Sequence, residues 1–392
     1  MNIRAREEHL VYDVAIAGGG LAGLIVAILL SREGKRIVLF EKKQYPFHKV
    51  CGEYVSREVL PFLLSLGMDP FALGASDIRK LRVSSAKGRT VRTQLPMGGF
   101  GLSRYTMDAK LAGMAVASGV SLRPGTRVTD IRYSDNLYRV SAADGSITLA
   151  RLVIGSYGKR DVLDKKLQRA FIEKKTGYLG IKYHIRTDYP EDEIGLDIFP
   201  GGYCGIVRIE EDRYNLCYLY RKTAEATARS PEQLEKEVLC KNPVLKGILI
   251  HAEKLTGPEA INEICFLPKT QSENGILMCG DSAGLITPLC GNGMAMAIRG
   301  ARMLAGLILD SSILERTTIS APDRQRLAAD YQRSWNREFS RRLKAGRLIQ
   351  RGFLLPALSE LCLQFLQATP MLHNALIQAT HGTEMLPAPP CR

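Results

Sequence analysis

Residues 12–42 confine this chain to a narrow set of architectures. "YDVAIA" (12–17) reads as a short buried strand, followed directly by Gly18-Gly19-Gly20-Leu21-Ala22-Gly23. "LIVAILLSREGK" then reads as an apolar helix stopped by Gly34, and "RIVLFEK" as a second strand reaching the acidic Glu41. Strand, glycine turn, helix, strand and acid within about thirty residues make a dinucleotide-binding βαβ unit; a lone glycine pattern would carry little weight. Gly18 permits the tight turn, Gly20 lets a pyrophosphate approach the backbone, and Gly23 lets the helix pack closely on the strand. Leu21 and Ala22 open the helix, whose free N–H groups and positive dipole end suit phosphates. Glu41, with Lys42 beside it, lies 18 residues after Gly23, placed to accept hydrogen bonds from a ribose hydroxyl pair. An acid at this place repels a 2′-phosphate. The unit by itself leaves FAD and NAD both open.

A second unit of the same kind comes late. "NGILMCGD" (274–281) reads as a buried strand ending in Gly280-Asp281, "SAGLITPLCGNG" as a loop, and "MAMAIRGARMLAGLILD" as a helix. With both units in place, the chain resembles the flavoproteins of the aromatic hydroxylase and geranylgeranyl reductase superfamily over most of residues 10–310, and more weakly beyond. The resemblance implies FAD, with Asp281 on its ribityl and pyrophosphate part and Gly291-Asn292-Gly293-Met294 beneath the isoalloxazine ring. A helix N-terminus there would stabilise the anionic reduced flavin. "GLSRYTMDAKLAG" matches the family's Arg–Asp helix, which puts Arg104 on the flavin side of the cofactor with Asp108 bracing the helix. "GTRVTDI" matches the strand whose backbone, at Val128, touches the adenine. Some family positions are altered. Tyr157, in Gly155-Ser156-Tyr157-Gly158, replaces the aspartate of G-A-D-G, which weakens the hydroxylase route to NADPH recognition. Phe199-Pro200 keep the end of the reductases' Y-x-W-x-F-P, but Gly195 and Asp197 replace its Tyr and Trp. The halogenases' W-x-W-x-I-P lacks both tryptophans here, which disfavours halogenation.

Cys51-Gly52-Glu53, just after the ribose acid, match the Cys-Gly pair that the reductase branch keeps near the flavin. Cys51 is then a shaper of the flavin face or a proton donor, and Glu53 orients substrate or relays protons. An inert buried thiol and a helix cap are the plainer readings of the same residues. Between residues 176 and 222 the chain alternates in strand fashion, with turn signals at "PGG" and "EEDR", so an antiparallel sheet is expected. In the family such a sheet roofs the substrate cavity. Beyond Pro322, Leu327, Tyr331, Trp335, Phe339 and Leu343 recur at helical spacing. The expected fold is therefore α/β: a Rossmann-like FAD-binding domain, an inserted antiparallel β-sheet substrate domain and a C-terminal helical lobe. Residues 1–75, 100–165 and 270–320 would form the first, 76–99 and 166–269 the second, and 321–392 the third.

Length and composition agree with this division, since 392 residues exceed one ordinary core. The formal charge is +14, and ten Lys/Arg against four Asp/Glu fall between Glu315 and Arg351. That balance suits a solvated helix face or, alternatively, peripheral contact with an anionic membrane. No basic–aromatic groove accompanies it, so nucleic acid is not an expected partner. Nine cysteines without a CxxC pair or a Cys/His cluster point to reduced thiols and to no metal. "MNIRAREEHLVYD" lacks a secretory apolar core and no window has the apolar length of a membrane span, so a cytoplasmic protein is expected. The expected function is FAD-dependent oxidation–reduction of a largely apolar small molecule, with NAD(P)H or another electron donor as reductant. Reduction of a C=C bond by hydride from reduced flavin N5 is one reaction. A monooxygenase using O2 and a C4a-hydroperoxyflavin is the alternative. A flavin-binding sensor or assembly protein without turnover fits the same glycine sites.

Overall fold

The computed structural model describes residues 10–222 and 230–387; the first nine residues and Cys391 lie outside the described residues. Two sheets organise the chain. In the first, Val11–Ala17 lies between Ile37–Glu41 and Ile147–Gly155, parallel to both. Ser121–Pro124 extends the sheet beyond Ile37–Glu41, and Ile276–Met278 extends it beyond Ile147–Gly155, again in parallel. The register sets Ala17 opposite Gly155, and Gly155 opposite Met278. The two glycine-rich loops, far apart in sequence, therefore leave the same edge of one sheet, where ligands of open α/β sheets bind. A hairpin of Val128–Ser134 and Leu137–Ala142 continues from Ile147–Gly155.

Helices α1 (Leu21–Arg32), α2 (Arg104–Ala117) and α3 (Gly293–Asp310) accompany this sheet. Nearly every position of α1 is buried, as expected of a helix that is apolar all round.

The second sheet runs in the order Glu253–Lys254, Tyr178–Arg186, Tyr214–Arg221, Gly202–Arg208, Glu193–Phe199, Ser76–Ser84, Thr90–Gly101 and Tyr54–Ser56, with Glu259–Asn262 also on Tyr178–Arg186. Its pairs are antiparallel except Glu193–Phe199 with Ser76–Ser84. Those two strands are not hairpin neighbours, so nothing forces the chain to reverse between them. Tyr54–Ser56 follows Glu53 directly, so the loop before it crosses from one sheet to the other.

The long helix α4 (Ala321–Phe353) opens with a capping box between Ser320 and Asp323 and buries Leu327, Tyr331, Trp335, Phe339 and Leu343. Gly284 makes room for it: a Cβ there would stand 2.5 Å from the Trp335 ring. Helices α5 (Pro356–Ala368) and α6 (Met371–Gln378) lie against Thr90–Gly101. The chain then returns to the first domain, where Met385 N donates to Glu58 O at 2.6 Å and Asn292 Nδ2 donates to Thr380 O at 2.8 Å. Among the described residues no helix is long and apolar enough to cross a membrane.

Candidate active site

A cavity of about 540 Å³ opens where the aligned strand ends of the first sheet face the second. From the first sheet come the turn at Gly18, Gly20, Leu21 and Ala22, the acidic Glu41 with Lys42 beside it, and Val128. Cys51, Gly52, Glu53 and Arg104 line it, as do Gly280, Asp281, Gly291, Gly293 and Met294. Gly23 and Asn292 stand apart. A Cβ on Gly23 would lie 2.2 Å from Gly18 O, so its place is helix packing, and the Asn292 side chain turns to Thr380.

The residues fit a dinucleotide on structural grounds. No side chain caps the N-terminus of α1 or of α3, which leaves first-turn N–H groups of both helices for a ligand. A Cβ on Gly20 would meet only Arg104 Nη2 at 3.5 Å and Lys49 Nζ at 3.6 Å, so bare backbone and two cations share one concavity. Asp108 holds both cations, taking two bonds of 2.8 Å from Arg104 and pairing with Lys49 Nζ at 3.1 Å. Burial would raise the Asp108 carboxyl, but the Arg104 and Lys49 charges outweigh it and keep it below the ordinary range. Glu41 accepts from the amides of Gly19 at 3.0 Å and Lys43 at 3.1 Å, which sets its orientation. Asp281 is carried by a loop that Lys269 braces, donating to the carbonyls of Lys159 and Asp281 at 2.9 and 2.8 Å. Burial lowers the Lys269 amine to about 8. Tyr157 lines the cavity with its hydroxyl 3.4 Å from Met278 Sδ.

Glu53 is fully buried in the left-handed region, with φ of 53°. Its carboxylate takes three donors: Arg104 N at 2.8 Å, Lys182 Nζ at 2.8 Å and His184 Nε2 at 2.7 Å. Burial alone would raise the Glu53 carboxyl; the His184 hydrogen bond and the Lys182 charge outweigh it and hold the group below its usual range. The His184 ring meets His48 edge-on at 4.9 Å, and burial with the nearby Lys182 charge lowers His48. Lys182 and His184 are site residues that the sequence reading missed. The available signal was the pair of polar residues two apart on one face of "GIKYHIR", in a strand whose other face carries Ile181, Tyr183 and Ile185.

The neighbouring loop is pinned through its carbonyls. Asn215 Nδ2 donates to Cys51 O at 3.1 Å, and Lys159 Nζ donates to Val50 O at 2.8 Å. The Cys51 side chain is half-buried on the cavity wall. Opposite, the second sheet contributes an apolar wall that includes Leu196, Ile206, Cys217 and Leu219.

Known proteins resemble this chain in sequence and in fold. The chain is 23% identical over 336 residues to conditioned medium factor receptor 1 of Dictyostelium discoideum, covering 79% of this chain and 65% of that protein. It is 27% identical over 342 residues to the digeranylgeranylglycerophospholipid reductase of Methanosarcina acetivorans, covering 83% of this chain and 80% of the relative. Menaquinone reductase of Mycobacterium tuberculosis is 24% identical over 332 residues, covering 78% of each chain. Among solved structures, the flavin-dependent brominase Bmp2 superposes with a TM-score of 0.76 at 18% identity, over 95% of this chain and 93% of its own. The model of the FAD binding domain family matches residues 11–311, so the chain belongs to that family and is a FAD-dependent oxidoreductase.

Proposed function

We propose that the protein reduces a carbon–carbon double bond of an apolar, isoprenoid-type substrate, with NAD(P)H or another donor as the source of electrons. The observation that carries this reading is the make-up of the cavity: a glycine-lined, cation-flanked groove on one side, an apolar sheet wall on the other, and Cys51 where they meet. Two relatives are named for reductase activity on a digeranylgeranylglycerophospholipid and on menaquinone, which supports a substrate of that class. Residues 1–75, 100–165 and 270–320 make the cofactor part, 76–99 and 166–269 the substrate part, and 321–392 the helical lobe.

The residues that would hold FAD divide its length between them. Gly18, Gly20, Leu21 and Ala22 with Arg104 take the diphosphate, Glu41 and Lys42 the adenosine ribose, and Val128 the adenine. Gly280 and Asp281 take the ribityl chain, Gly291, Gly293 and Met294 the ring through their backbone, and Gly52 lies beside Cys51. When bound and reduced, the flavin supplies a hydride.

Reduction also needs a proton for the second carbon. Glu53 is unsuited to give it, because three donors hold its carboxylate ionised. Its role is positioning: it fixes Gly52 and Cys51 on one side and the first amide of α2 on the other. The Cys51 thiol, on the wall of the cavity, delivers the proton and regains one from solvent. The apolar wall keeps water from the reacting carbons.

Anaerobic reduction with dithionite, followed by mixing with polyprenyl lipids or quinones, tests the proposal. The yellow colour should return without oxygen, with a product two hydrogens heavier. Cys51→Ser should keep the flavin spectrum and slow this step about a hundredfold. If only oxygen restores the colour and the product carries an added oxygen atom, hydroxylation is the reaction and the proposal falls.

A further inference from the structure

Residues 354–378 contain Glu360 as their sole charged side chain, and Glu360 is occupied by Arg89 at 2.7 Å. Helices α5 and α6, which this stretch forms, are apolar on two opposite faces. The inner face carries Leu363, Leu366 and Ile377 and lines a second, apolar cavity of about 130 Å³ against Leu81, Val91 and Leu95 of the second sheet. The outer face leaves Leu361 61%, Phe365 59% and Met371 88% exposed, with Leu358 and Leu372 beside them in sequence and also exposed. An isolated exposed leucine needs no explanation, but apolar side chains at 358, 361, 365, 371 and 372 together leave apolar surface unburied. At 13 and 8 residues, α5 and α6 are too short to span a bilayer.

The last turns of α4 lead into this patch and carry its charge. Arg337, Arg341, Lys344, Leu348 and Arg351 fall at alternating spacings of four and three, on one exposed helix face, with Leu348 72% exposed among the cations. Among the described residues none of these four cations pairs with a carboxylate, whereas the adjacent Arg342 pairs with Glu338. The amphipathic face expected from Leu327 to Leu343 is not the available one, because the protein's own core covers it.

We propose that α5 and α6, with the cationic face of α4, dock on an anionic phospholipid bilayer, the apolar side chains entering the interface and the four cations meeting the headgroups. The apolar–cationic combination selects this partner: a purely apolar surface would serve a second copy of the chain, and a purely cationic one any polyanion. The docking does not depend on the reaction proposed above, and it is measured with the oxidised, substrate-free protein.

Co-sedimentation with phosphatidylcholine vesicles, with and without one part in four of phosphatidylglycerol, tests it. Binding should require the anionic lipid, fall steeply as salt is raised to about 0.5 M, and drop at least about tenfold in Leu361→Asp/Phe365→Asp. Arg341→Glu/Lys344→Glu should lose the dependence on phosphatidylglycerol. All four side chains are exposed, so flavin absorbance should be unchanged; if the first double variant loses its flavin, Met371→Asp carries the same test. Equal recovery in the supernatant with and without anionic vesicles overturns the proposal. So does a concentration-dependent dimer in ultracentrifugation that the apolar substitutions abolish, which would assign the face to a second copy.

Discussion

Glu53 concentrates several costs in one residue. A non-glycine side chain in the left-handed region costs about 1 kcal/mol, and a fully buried carboxylate costs more unless it is well paired. Lys182, His184 and the Arg104 amide meet that requirement. Glu53→Gln removes the anion and leaves Lys182 and His184 facing a neutral amide, so urea unfolding should show a loss of about 3 kcal/mol near neutral pH. The pH dependence follows from the lowered carboxyl. The stabilisation is complete above the ordinary carboxyl value of 4.5 and disappears as pH falls through the lower folded value. Stability measured against pH in this acid range should be flatter for the variant. Lys269 behaves in the opposite range. Its amine is lowered by burial to about 8 from 10.5, so the unfolded chain binds more protons between those values and stability should rise with pH there. Lys269→Met should abolish that rise in the same measurement. Glu53 was legible in sequence through the Cys-Gly-Glu match, while its partners were not. Lys182 and His184 come from a strand 129 and 131 residues away, and no local pattern states which buried carboxylate a strand lysine will meet.

At the scale of elements, the glycine loops do separate jobs that their spacing alone does not divide. Gly291 has a φ of 63° and a Cβ on it would lie 3.3 Å from the Tyr54 ring, inside the cavity, whereas Gly284 faces Trp335 of α4. Gly291→Ala should lower the flavin bound per chain, read from the absorbance ratio of purified protein. Gly284→Ala should leave that ratio near the parent's and instead destabilise the fold by about 1–3 kcal/mol through overpacking, read by thermal unfolding. The first assignment is an expectation that contiguous strand, glycine and helix allow; the second depends on a helix that begins only at Ala321. The strand Glu193–Phe199 teaches the same lesson about alternation. Ile194 and Leu196 line the cavities, while Asp197 is buried with Arg82 at 2.7 Å and Ser84 at 2.5 Å. Gly195 clears the way, since a Cβ on it would stand 2.6 Å from Arg82 Nη2. The Gly and Asp that break the reductases' aromatic motif are thus the two halves of one accommodation to a buried arginine.

Over the whole molecule, the sequence disclosed the two sheets and the helical lobe through periodicity, but not how the lobe closes on the rest. The segment after α6 returns to Glu58 and Asn292, and Arg302 Nη2 donates to Pro387 O at 2.9 Å. Such bonds join residues with no shared periodicity, so a pattern-based reading does not register them. A chain ending at Gln378 should lose these ties, melt several degrees lower and retain less flavin, as followed by flavin fluorescence during heating. The loop that crosses between the sheets has a wider consequence. Glu53 sits in that crossing, and its carboxylate grips a strand of the far sheet and the first amide of a helix on the near one. A body stitched at that point is a vault and not a pair of jaws. Tyr54, the residue next to the stitch, borders both cavities together with Ile194 and Leu196, so the two hollows share one wall and a change at the crossing reaches both.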